Sequence, residues 1–81
     1  MSDVRTWLQE FAAAAGGHSL DEVECETILA LAGVAAHSSE RTAAPLTCWV
    51  AARAGLSPSE ALAVARSLAD HLATTDQELS E

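Results

Sequence analysis

Apolar residues recur every three or four positions through most of this chain, and no stretch alternates apolar and polar residues as a half-buried strand would. That periodicity confines the fold to helices packed on helices. Val4, Trp7, Leu8, Phe11, Ala12 and Ala15 share one helical face. Val23, Thr27, Leu31 and Val34, broadened by Ile28 and Ala35, form a second stripe. Leu46, Trp49, Val50 and Arg53, with Cys48 and Ala52 beside them, form a third. Ala61, Leu62, Ala65, Leu68, Ala69 and Leu72 form a fourth.

The punctuation between the stripes agrees with this division. Ser2 is placed to cap the first helix, where Asp3 also suits the positive end of the helix dipole, and Gly16-Gly17 closes that helix. Ser19-Leu20-Asp21-Glu22 has the spacing of a capping box, which predicts a second helix running to His37 or a little beyond. Residues 38–44 read as a connection, Pro45 fits the first turn of a third helix, and Gly55 ends it. Ser57-Pro58-Ser59-Glu60 is a second capping box, with proline at the first helical position. The prediction is an all-α fold: a compact four-helix bundle or orthogonal helical array over residues 1–73, followed by a flexible acidic tail, 74–81.

Composition limits what such a fold can do. The 81 residues include eighteen alanines and only three aromatics, Trp7, Phe11 and Trp49, so the helices can approach closely but bury little area each. A core this small makes docking on a partner, or self-association as a homodimer, a natural source of stability. There is no lysine, and Arg5, Arg41, Arg53 and Arg66 leave a net charge of −8, which repels phosphate backbones and anionic lipid. Nucleic acid and membrane are therefore not expected partners. The first residues lack a basic segment followed by an apolar run, so the expected location is cytoplasmic, with Cys25 and Cys48 as reduced thiols that act as small buried hydrophobes.

Three motifs invite a specific chemistry. Gly16-Gly17-His18-Ser19-Leu20 resembles the attachment site of a peptidyl carrier protein, where phosphopantetheine is esterified to the serine. Only eighteen residues precede Ser19, and the long loop that separates the first helix from the serine in such carriers has no room here, so a capping role is the expectation. Residues 51–71 resemble a DNA-reading helix-turn-helix. The start of their second helix offers Ser59, Glu60 and Ala61 in place of cationic donors, which argues for a simple helix pair. His18, His37, His71, Cys25 and Cys48 have no metal-binding spacing, and no base and orienting group stand beside a nucleophile. No metal, cofactor or catalytic activity is expected.

The remaining distinctive stretch is residues 37–49. His37 and Arg41 are cations in an acidic chain, and Thr42, Pro45 and Thr47 lie at the start of the third helix. Together they suggest a corner that binds a partner or a small anion such as a nucleotide. The competing reading pairs Arg41 with Glu40 and uses Thr42 as a cap.

Here the chain resembles a small uncharacterised all-helical family of high-GC bacteria, also found appended to molybdenum cofactor guanylyltransferases. Trp7-Leu8, His37, Arg41, Ala43-Ala44-Pro45-Leu46-Thr47 and Trp49 carry the likeness. The family often has proline after the basic residue, where this chain has Thr42, and Phe-Leu-x-Gly in the third helix, where this chain has Trp49-Val50-Ala51-Ala52. The resemblance implies a non-enzymatic accessory role near molybdenum cofactor maturation. It also implies a protein partner such as the guanylyltransferase or a molybdoenzyme.

Overall fold

The computed structural model describes the backbone of residues 3–79 and the side chains of residues 3–73. Four helices follow in order: α1, Val4–Ala15; α2, Glu22–Ser38; α3, Ala43–Arg53; and α4, Pro58–Leu79. No strand occurs among the described residues, so the all-α class read from the periodicity is the observed one.

Each boundary has a local cause. Asp3 caps α1, its carboxylate accepting the Thr6 amide at 2.8 Å. The cap is therefore Asp3, not Ser2, which lies outside the described residues. Gly16 closes α1 in the left-handed region, φ 80°, and the Gly17 amide reaches back to the Ala12 carbonyl at 2.9 Å. Gly55 repeats this ending for α3, with φ 79° and the Leu56 amide bonded to the Ala51 carbonyl at 3.1 Å. Both are Schellman-type stops, which a residue with a Cβ would strain.

The start of α2 corrects the sequence reading. Its cap is Asp21, not Ser19: Asp21 accepts the Glu24 amide at 2.8 Å, and the Glu24 carboxylate accepts the Asp21 amide at 3.0 Å. Two overlapping boxes compete in this stretch: Asp21 with Glu24 satisfies the Asp21 and Glu24 amides, where Ser19 with Glu22 would have satisfied those of Ser19 and Glu22. Ser19 stands exposed three residues ahead of the helix. The box before α4 is as expected, with Ser57 and Glu60 exchanging bonds of 2.8 and 3.2 Å and Pro58 opening the helix.

α3 begins at Ala43, two residues before Pro45. Thr42 occupies its cap position without a side-chain capping bond, because its backbone is already helical at φ −68°, ψ −18°. α4 continues past Ala73 to Leu79, since nothing in Thr-Thr-Asp-Gln-Glu breaks a helix. The expected character of residues 74–81 as a flexible tail falls on side chains outside the described ones.

α2 is the centre of the packing: α3 and α4 both lie against it and splay away from one another, and among the described residues α1 packs closely on none of the three. A helix gripped on two sides must be apolar around much of its circumference, which is why α2 combines Ile28, Leu31, Val34 and Ala35 with little polar relief. The fully buried residues among those described are Leu31, 2% exposed, and Ala61, 4%. The Cα radius of gyration is 15.0 Å, against about 12 Å for a closely packed chain of this length.

Packing overturns several expected core positions. Trp7 and Phe11 stand 58% exposed and stack with ring centroids 6.2 Å apart, and Val4 and Val23 are also exposed. On α3 Leu46 and Trp49 of the expected inner face point outward and are exposed, while Ala43, Ala44, Thr47, Cys48 and Ala51 are half-buried. Small residues let two helix backbones approach, and that closeness turns the bulky stripe of α3 to solvent. Val50 of α3 and Leu68 and Leu72 of α4 are exposed for a different reason, since they face an open cleft.

Candidate functional site

Because α3 and α4 both pack on α2 but diverge from one another, an apolar cleft of about 330 Å³ lies between them. Leu31, Val34 and Ala35 of α2 form its floor, Thr47, Val50 and Ala51 one wall, and Val64, Leu68 and Leu72 the other. Ser38, Ser39 and Ala43 close one end, at the turn that carries Glu40, Arg41 and Thr42. The cleft is thus an apolar trough with a polar, cation-bearing rim at one end. Such a surface excludes water from an apolar insert and orients it by its edges.

A second, more open depression lies on the other side of Val34, Ser38 and Ala69, which line both. It brings His37 of α2 beside Arg66 and Asp70 of α4, with Gly33 on its surface. Arg66 and Asp70 lie four residues apart on α4, a spacing that places them on one face; their approach to His37 depends on how α2 and α4 cross.

The five residues singled out in the sequence are therefore divided. Thr47 lines the apolar cleft and His37 the second depression, whereas Arg41, Thr42 and Pro45 are exposed and line neither. Arg41 forms no ion pair with Glu40; among the described residues Arg5 pairs with Glu22.

The sequence places Val50, Leu68 and Leu72 on inner helix faces and Thr47 in the candidate corner, but it does not reveal that they line an open cleft. Val64 was not assigned to the inner face of α4, and the signal present was the excess of bulky apolar residues over what so small a core can bury.

The site holds little reactive chemistry. Cys48 is half-buried and burial pushes its thiol pKa up, so it stays protonated at neutral pH. Among the described residues no three His, Cys, Asp or Glu side chains cluster as metal ligands would, and no helix is long and apolar enough to cross a membrane.

Charge is unevenly spread. Residues 3–26 carry six acids, Asp3, Glu10, Asp21, Glu22, Glu24 and Glu26, against Arg5 alone. Residues 27–73, which build the cleft, balance Glu40, Glu60 and Asp70 with Arg41, Arg53 and Arg66.

A four-helix, all-α chain with a small core and an open apolar cleft is the class that fold and site define. Residues 1–80 match the family described as "Domain of unknown function (DUF6457)", and the chain belongs to that family. No curated protein and no solved structure matches it.

Proposed function

We propose that this chain is a non-enzymatic protein-interaction domain whose α3–α4 cleft receives an apolar helix. The observation that carries this reading is the cleft itself: bulky side chains at Val50, Val64, Leu68 and Leu72 face an apolar trough and remain in solvent, while the chain fully buries only Leu31 and Ala61 among its described residues. Exposed apolar surface gathered in a trough is costly unless something covers it. The trough also has the shape of helix-in-groove recognition.

The resemblance carried by Trp7-Leu8, His37, Arg41 and the Ala43–Thr47 segment supports a finer proposal. The partner is a molybdenum cofactor guanylyltransferase or a molybdoenzyme, and Arg41, Thr42 and Pro45 contact it at the rim.

Light scattering of the full chain mixed with the guanylyltransferase of the same genome tests this. A complex weakened at least tenfold by Leu68→Asp, and less by Arg41→Ala, is expected. No complex, or one indifferent to Leu68→Asp, contradicts the reading.

A second reading, a small-anion or nucleotide site, is supported by the shared position of His37 and Arg66 and opposed by the Asp70 carboxylate beside them. Thermal stabilisation that rises with guanine nucleotide concentration would favour it.

A further inference from the structure

We propose that in the protein free of any other partner the helix seated in the cleft is α1 of a second copy, so that two chains exchange α1 reciprocally about a twofold axis. The inference rests on the cleft being a docking surface, as argued above, and names its occupant.

One chain carries both halves of an unmade contact. α1 presents Val4, Trp7 and Phe11 to solvent at 73%, 58% and 58% exposure, on a helix that among the described residues packs closely on none of α2, α3 and α4. The cleft is open and apolar.

Their lengths agree. The twelve residues of α1 span about 18 Å, and the α4 wall from Ala61 to Leu72 spans about 17 Å. Their areas also suffice. The exposed apolar side chains of α1, and those of the cleft walls, each amount to on the order of 400 Å². Two reciprocal seats then cover on the order of 1,500 Å², within the range of stable interfaces.

The chain's own α1 is poorly placed to fill the cleft. Arg5 pairs with Glu22 at 3.3 Å, which sets α1 against the first turn of α2. The cleft floor begins at Leu31, about 14 Å further along that helix. Closure within one chain would break that pair and swing α1 about its glycines. A second copy brings in its α1 with the pair and every cap retained.

Sedimentation of the full-length chain over a range of concentrations tests the exchange, with Phe11→Asp on α1 and Leu68→Asp on the cleft wall. Both positions are exposed, and far-UV circular dichroism checks that each variant folds. The wild type is expected to dimerise, and each variant alone to do so at least a hundredfold more weakly. An equimolar mixture keeps one intact seat per pair and dimerises with an affinity between those limits. In a Trp49→Phe chain, Trp7 is the remaining indole, and its emission moves to shorter wavelength as concentration drives dimer formation.

A mixture no tighter than either variant alone, or a Trp7 emission unchanged by concentration, overturns the exchange. So does a wild type that stays monomeric, although Leu68-dependent binding of another protein would then still uphold the docking cleft. A dimer that Leu68→Asp leaves intact overturns the exchange and counts against the cleft as well.

Discussion

The Arg5 guanidinium lies 3.3 Å from the Glu22 carboxylate, joining an α1 that buries none of its residues to the first turn of α2. Both side chains are largely in solvent, at 69% and 77% exposure, so water and salt screen the attraction. The pair sets where α1 points more than it stabilises the fold. Arg5→Ala is expected to change unfolding free energy by no more than about 0.5 kcal/mol in a denaturant titration. A markedly larger loss would mean that α1 is held by contacts beyond this pair.

Leu31 and Trp49 should respond in opposite ways to truncation. Leu31 is 2% exposed on the floor of the cleft, and Leu31→Ala should cost about 2–4 kcal/mol, enough to abolish cooperative unfolding in a domain with so small a core. Trp49 is 70% exposed, and Trp49→Ala should cost within about 0.5 kcal/mol despite removing the larger side chain. Equal losses for the two variants would place Trp49 in the core after all.

Two glycines predict changes of opposite sign for the same added methyl. Gly33 lies inside α2, where a Cβ would meet no atom within 4 Å, so Gly33→Ala should stabilise the chain by about 0.5–1 kcal/mol. Gly16 has equally open surroundings but φ +80°, so Gly16→Ala should destabilise by about 1 kcal/mol through backbone strain alone. Thermal unfolding midpoints measure both. Gly33→Ala also places a methyl in the depression beside His37 and Arg66, so unchanged partner binding would show that this depression is not the docking surface.

Acid should loosen two helix starts. The Thr6 amide holds the Asp3 carboxyl below its ordinary pKa, and the Ser57 amide does the same for Glu60. Groups whose folded pKa is lowered contribute stability above their unfolded pKa, and that contribution disappears as pH falls through the folded value. Amide exchange should therefore quicken at the first turns of α1 and α4 below the ordinary carboxylate range, while the α2–α4 contact around Leu31 and Ala61 is affected less. Asp3→Asn and Glu60→Gln should flatten this pH response.

The local features of the fold were legible in the sequence, because helix periodicity, the Ser57–Glu60 box and the stops at Gly16 and Gly55 depend on residues within a turn of one another. The starting cap of α2 was misread because Ser19 and Asp21 each open a capping box with a glutamate three residues on. Which face of α3 is buried depends on how closely that helix approaches α2, a tertiary quantity. A stripe of Leu46, Trp49 and Val50 reads as core until Ala43, Ala44 and Ala51 are seen to permit the tighter contact. The cleft was least legible of all, because it arises from the divergence of α3 and α4, which no local pattern encodes. Thr47 reads as a site residue, but its neighbours Val50 and Leu68 read as ordinary apolar positions, and Val64 falls outside the inner stripe of the fourth helix.

The central claim, that the α3–α4 cleft is the docking surface, is tested most directly by methyl-resolved NMR of the labelled chain, titrated first with unlabelled chain and then with the guanylyltransferase. Signals of Leu31, Val50, Val64, Leu68 and Leu72 report on the cleft, while Val23 and Leu29 on the exposed side of α2 serve as internal controls. The account predicts that the cleft methyls shift as a complex forms and that Val23 and Leu29 stay in place. A complex that moves Val23 and Leu29 and leaves the cleft methyls unchanged would contradict it.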